Sequence, residues 1–84
     1  MDTREAFKQA KIAAIRRYEE QAERDIQTET GRNKNANAVK RAAWARRHLA
    51  LFQSDVAFWG CNGMEFAYKM FVYNGCDPAT VSAV

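Results

Sequence analysis

The side chains best suited to chemistry in this 84-residue sequence are a single histidine, two cysteines and ten carboxylates. Their spacing assembles no catalytic set. A catalytic histidine needs a nucleophile or an orienting carboxylate within hydrogen-bond reach. On a helix, the neighbours of His48 three and four residues away are Trp44, Ala45, Leu51 and Phe52, and none can serve. Arg41 and Asp55 fall in line with His48 at seven-residue spacing, but seven residues of helix span about 10 Å. His48 therefore reads as a packing or boundary residue.

Cys61 and Cys76 are fifteen residues apart and form no CxxC pair. With one histidine they do not complete a zinc site. A helix between them would hold their Cα atoms roughly 15–20 Å apart, too far for a disulfide, so they read as free thiols in a reducing compartment. Glu19, Glu20, Glu23 and Asp25 interleave with arginines on what reads as a solvated helix face. No glycine-rich phosphate loop is present. The expectation is a non-enzymatic protein with no cofactor and no metal.

Charge is the remaining signal. Residues 32–48 carry six Lys/Arg and no Asp/Glu, a local +6, while residues 1–31 carry six against seven and residues 49–84 one against three. Concentrated charge makes a binding footprint. The candidate partner-binding residues are Arg32, Lys34, Lys40, Arg41, Arg46 and Arg47. By helix angle Lys40 and Arg47 nearly coincide, whereas Arg41 and Arg46 point elsewhere. The set suits docking on an acidic protein or nucleoprotein complex. The alternative is direct contact of residues 32–48 with DNA or RNA phosphates. Trp44 could stack on a base, but its seven-residue register with Leu51 and Phe58 assigns it to the core.

Gly75-Cys76-Asp77-Pro78-Ala79-Thr80-Val81-Ser82-Ala83-Val84 resembles the turn and second helix of a lactose-repressor-like helix-turn-helix. The likeness rests on the turn glycine, the polar cap two residues on, and Thr-Val-Ser followed by Val, and it would imply DNA reading. Phe71 stands where that motif needs a small residue, and the second helix has no Arg, Lys, Asn or Gln for base edges. A short capped helical turn packed on the core accounts for the same residues.

The elements that must position these groups follow from periodicity. Asp2 as N-cap and Glu5 three residues later open a first helix running to about Thr28. Phe7, Ala10, Ala14, Ile15, Tyr18, Ala22 and Ile26 share a broad arc of it. Lys11 lies near the middle of that arc and is expected to lay its methylenes over the core and reach outward. Thr30–Asn37 reads as a mobile loop, with Gly31 ending the first helix and Asn35 or Asn37 capping the next. A central helix is expected from Asn37 to Trp59. Its main stripe is Ala45, Leu49, Phe52, Val56 and Trp59, and its second is Trp44, Leu51 and Phe58. Asn62 should cap a third helix from about Gly63 to Tyr73, with a Glu65–Lys69 pair on its surface. The alternation of Phe66, Tyr68, Met70 and Val72 keeps a strand as the rival reading. Asn74-Gly75 stops this element, and Asp77-Pro78 opens a last turn.

The expected fold is all-α: a three-helix bundle with two long helices in an antiparallel hairpin, a shorter aromatic helix and a C-terminal helical turn, in one domain over 1–84. The N-terminus is charged from its second residue, and no apolar run approaches the ~18 residues of a membrane span. The expectation is therefore a cytoplasmic protein that does not engage membranes. Small chains without catalytic residues often regulate or inhibit larger assemblies, as phage accessory proteins do. Two apolar stripes exceed what two neighbouring helices cover, so a homodimer stands as the alternative to a monomer.

Overall fold

The computed structural model describes residues 2–28 and 31–84, with the backbone alone for residues 32 and 33. Four helices follow in chain order: α1 Thr3–Thr28, α2 Arg32–Leu51, α3 Asp55–Trp59 and α4 Met64–Tyr73. A 3-10 turn, Pro78–Thr80, follows α4. No strand occurs among the described residues, so 64–73 is helix. The two long helices pack antiparallel, giving the all-α bundle anticipated from periodicity, with one additional short helix.

Asp2 caps α1: its Oδ1 accepts from the Glu5 backbone N–H at 2.7 Å, satisfying one of the orphan donors of the first turn. Across the hairpin the interior of α2 is built from alanine. Ala38, Ala42 and Ala45 are fully buried, as is Ala22 of α1. Small residues at the crossing let the two backbones approach closely.

α2 begins five residues earlier than anticipated. Gly31 is its N-cap, at φ −75° and ψ 134°, and not a left-handed stop for α1. Asn35 sits within the helix, and its side-chain amide donates to the Ile26 carbonyl of α1 at 2.8 Å. The asparagine expected to cap α2 instead satisfies a terminal carbonyl of its neighbour. Most of the anticipated loop is therefore helical. Thr30, at its start, lies outside the described residues.

The expected helix from Asn37 to Trp59 is two helices. α2 stops at Leu51, and Ser54 opens α3 with its hydroxyl accepting from the Ala57 N–H at 3.3 Å. Six residues of continuous helix would place Phe52 and Phe58 about 120° apart on different faces. The break turns both into one core, where each is buried and their ring centroids lie 4.9 Å apart. It also moves Val56 off the stripe to 86% exposure. Leu51 of the second stripe is likewise exposed.

Phe7 is the hub of that core. Its ring lies 5.4–6.0 Å from Phe58, Trp59, Tyr68 and Phe71. α4 delivers Met64 and Phe71 to the same cluster. Gly63, and not Asn62, is the N-cap of α4, at φ +81°. The expected Glu65–Lys69 pair gives way to a longer-range one: Arg4 grips Glu65 with two hydrogen bonds of 3.0 and 3.1 Å. Its guanidinium also lies 4.6 Å from the Trp59 ring centroid and 4.7 Å from that of Tyr68, within cation–π range.

α4 ends in a Schellman motif. The Cys76 N–H donates to the Phe71 carbonyl and the Gly75 N–H to that of Val72. Gly75 takes φ +79°, where an L side chain would strain. Asp77 Oδ1 then accepts from the Ala79 N–H at 3.0 Å, but only the three-residue 3-10 turn follows. Residues 81–84 run on without regular structure. The second helix of a helix-turn-helix is thus absent from the described residues, and Val81 and Ala83 pack against the core instead.

Candidate functional site

The basic stretch divides into two sets once α2 is docked on α1. Arg41 and Arg46 lie along the flanks of the helix interface. Arg41 donates to Asp25 Oδ2 at 3.0 Å, with both side chains largely covered. Arg46 donates to Glu23 Oε1 at 2.7 Å, and its Nε lies 3.2 Å from Glu19 Oε2. The hydrogen bond to Glu23, with the charges of Glu23 and Glu19, raises the Arg46 pKa above its ordinary value. Glu19, Glu23 and Asp25 of α1 are therefore matched by cations within the fold.

The second set faces away. Lys34, Lys40 and Arg47 are exposed and make no ion pair with a described residue. Lys40 and Arg47 stand seven residues apart on the outward face, about 10 Å along the axis. Between and beside them lie Ala36, Ala43 and Ala50, all exposed, with Val39 and Leu51 about half exposed. The Arg32 side chain lies outside the described residues. The first turn of α2 carries no acidic residue, so its basic residues sit at the positive end of the helix dipole.

No known protein family, curated protein or solved structure matches the chain. Its own chemistry is thus the basis for reading the surface.

The residues examined for catalysis are structural in their contacts. His48 donates from Nδ1 to the Trp44 carbonyl at 2.8 Å. Its ring lies 4.3 Å from Trp44 and meets Phe52 edge-on at 5.7 Å. Trp44 in turn packs edge-on against Tyr18, so it is half-buried between the long helices. Cys61 and Cys76 are free and half-buried, and the Cys61 thiol donates to the Ala57 carbonyl. Among the described residues no group of three His, Cys, Asp or Glu is placed to hold a metal ion. No helix among them is long and apolar enough to cross a membrane.

Two features escaped the reading of the basic stretch. One is the outward face of α4, where Phe66, Met70 and Tyr73 recur at helical spacing and stay exposed. The other is Lys11, half-buried and donating to the Ser82 carbonyl at 2.7 Å. Its position amid the apolar arc of α1 was the sequence signal, but only the fold supplies the partner, 71 residues away.

Proposed function

We propose that the chain is a non-enzymatic binding module, a regulator or inhibitor type of protein, that docks through the outer face of α2 on an acidic protein or nucleoprotein partner. The observation that carries this reading is the division of the basic stretch. Arg41 and Arg46 are matched by α1 carboxylates, while Lys40 and Arg47 project from the opposite face with no described partner.

The texture of that face favours a protein surface over bare nucleic acid. Val39 and Leu51 offer apolar contact, and the alanines between the cations let a partner helix come close. Such a mixture of apolar contact and flanking charge suits a protein interface, in which charge sets register and on-rate. Nucleic-acid binding remains the second reading, favoured by Lys34, an exposed cation in the first turn of α2 that pairs with no described carboxylate.

Affinity capture from lysate, with and without nuclease, tests the choice. Capture of a specific acidic protein that survives nuclease and weakens gently with salt is expected. Capture lost on nuclease treatment, together with a steep fall of log affinity for purified DNA or RNA against log salt, would replace this reading with the second.

A further inference from the structure

The C-terminal segment, α4 and the start of α1 line a half-open groove of about 320 Å³ to which α2 contributes no residue. This lies at the small end of the range for small-molecule sites, roughly 300–1,000 Å³. Its walls include Phe7, Met70, Phe71, Val81 and Val84, and Lys11 reaches it from α1.

Lys11 is what distinguishes the groove from a packing defect. An ammonium has three N–H donors, and one goes to the Ser82 carbonyl at 2.7 Å. Among the described residues no carboxylate forms an ion pair with it. A partly buried cation without a counter-ion is costly, and burial indeed pulls the Lys11 pKa below its ordinary value, with no offsetting acid. The groove thus presents a partly desolvated positive charge with spare donors beside walls in which apolar side chains alternate with Thr80 and Ser82. Asn62, on the same lining, adds a side-chain amide with no hydrogen-bond partner among the described residues.

We propose that this groove binds a small monocarboxylate with a short apolar tail, the carboxylate on the Lys11 ammonium and the tail against Met70, Phe71 and Val84. One ammonium balances one negative charge. A phosphate dianion would leave excess charge among apolar walls, where charge is expensive. A neutral apolar molecule would leave the ammonium's donors unmatched. This site is separate from the outer face of α2 and does not depend on the docking proposed there.

Octanoate, octanol and acetate are the probes, titrated into the full chain and followed by amide and lysine-side-chain NMR. Octanoate is expected to shift signals of Ala67, Met70, Val81 and Val84 saturably. It should also raise the Lys11 titration midpoint towards the ordinary lysine value. Octanol and acetate should bind at least about tenfold more weakly, the size of one charge-assisted hydrogen bond or a buried tail. Lys11→Met should weaken octanoate by a similar factor, and Lys11→Arg should largely retain it. Equal binding of octanol and octanoate by the unaltered chain would overturn the proposal, as would the absence of saturable octanoate binding. Because that comparison uses the unaltered chain, it decides the matter even if Lys11→Met fails to fold.

Discussion

Phe52 and Phe58 meet edge to face, centroids 4.9 Å apart and planes at 84°, although a helix end and a new cap separate them. The contact explains why the apolar run after α2 is not one rod. Edge-to-face aromatic packing adds to the burial of both rings, and only a turn at Gln53-Ser54 lets both reach Phe7. Phe52→Ala is expected to cost about 3–5 kcal/mol in chemical denaturation. Val56→Asp should cost under about 0.5 kcal/mol, as exposed substitutions do. A large loss at Val56 would restore the uninterrupted helix, in which that residue belongs to the core stripe.

The turn itself depends on Ser54, whose hydroxyl accepts from the Ala57 N–H. Removing an N-cap acceptor typically costs about 0.5–2 kcal/mol. Ser54→Ala should fall in that range and Ser54→Asp should recover most of the loss, because a carboxylate can accept the same bond. Equal stability of all three proteins in urea would show that the hydroxyl contributes nothing to the start of α3.

Arg4 and Glu65 fasten the beginning of α1 to the beginning of α4. The hydrogen bonds from Arg4, aided by its charge, hold the Glu65 carboxyl below its ordinary value. A carboxylate whose folded pKa is depressed contributes stability above its unfolded pKa of about 4.3 and loses it as pH falls through the lower folded value. A carboxyl-detected NMR titration should place Glu65 below the ordinary glutamate value, and Arg4→Gln should return it to that range. Unchanged titration in that variant would assign the depression to another group.

Charge and cap signals were partly legible in the sequence because they act locally. Asp2 capping α1, the stop at Gly75 and the seven-residue alignment of Lys40 with Arg47 need only spacing to be seen. The fate of Arg41 and Arg46 needs the antiparallel register of α1 and α2, which brings Asp25, Glu19 and Glu23 to them. Apolar periodicity also misled where it continued across Ser54, a capping residue followed by Asp55 that marked a new start. Asn35 shows the converse, since its amide serves Ile26 of another helix and no local rule reveals that.

The expected surplus of apolar surface gathers mainly on α4, with Leu51 and Val56 exposed singly elsewhere. Phe66 is 68% exposed, Met70 41% and Tyr73 83%. Side chains of this size present together on the order of 400 Å², about half of the roughly 800 Å² per partner in a stable interface. Light scattering at micromolar concentration should therefore give a monomer. A stable dimer there would require a larger surface than this stripe supplies.

The proposed docking face is tested by separating the two arginine classes. Reversing Arg46 sets a third acid against Glu19 and Glu23, so a loss of binding in Arg46→Glu would mix surface and fold. Its pairs are exposed and contribute little stability, but the hairpin register is also at risk. Lys40→Glu with Arg47→Glu avoids this, because neither residue pairs with a described carboxylate. The double reversal should leave the urea midpoint nearly unchanged while abolishing capture of the partner, with the first effect in on-rate. Arg16→Glu with Arg17→Glu, on the exposed side of α1, should retain capture. Surface plasmon resonance against the captured protein reads both outcomes. Retained binding after the α2 reversal and lost binding after the α1 reversal would move the interface to the other long helix and end the case for the basic stretch.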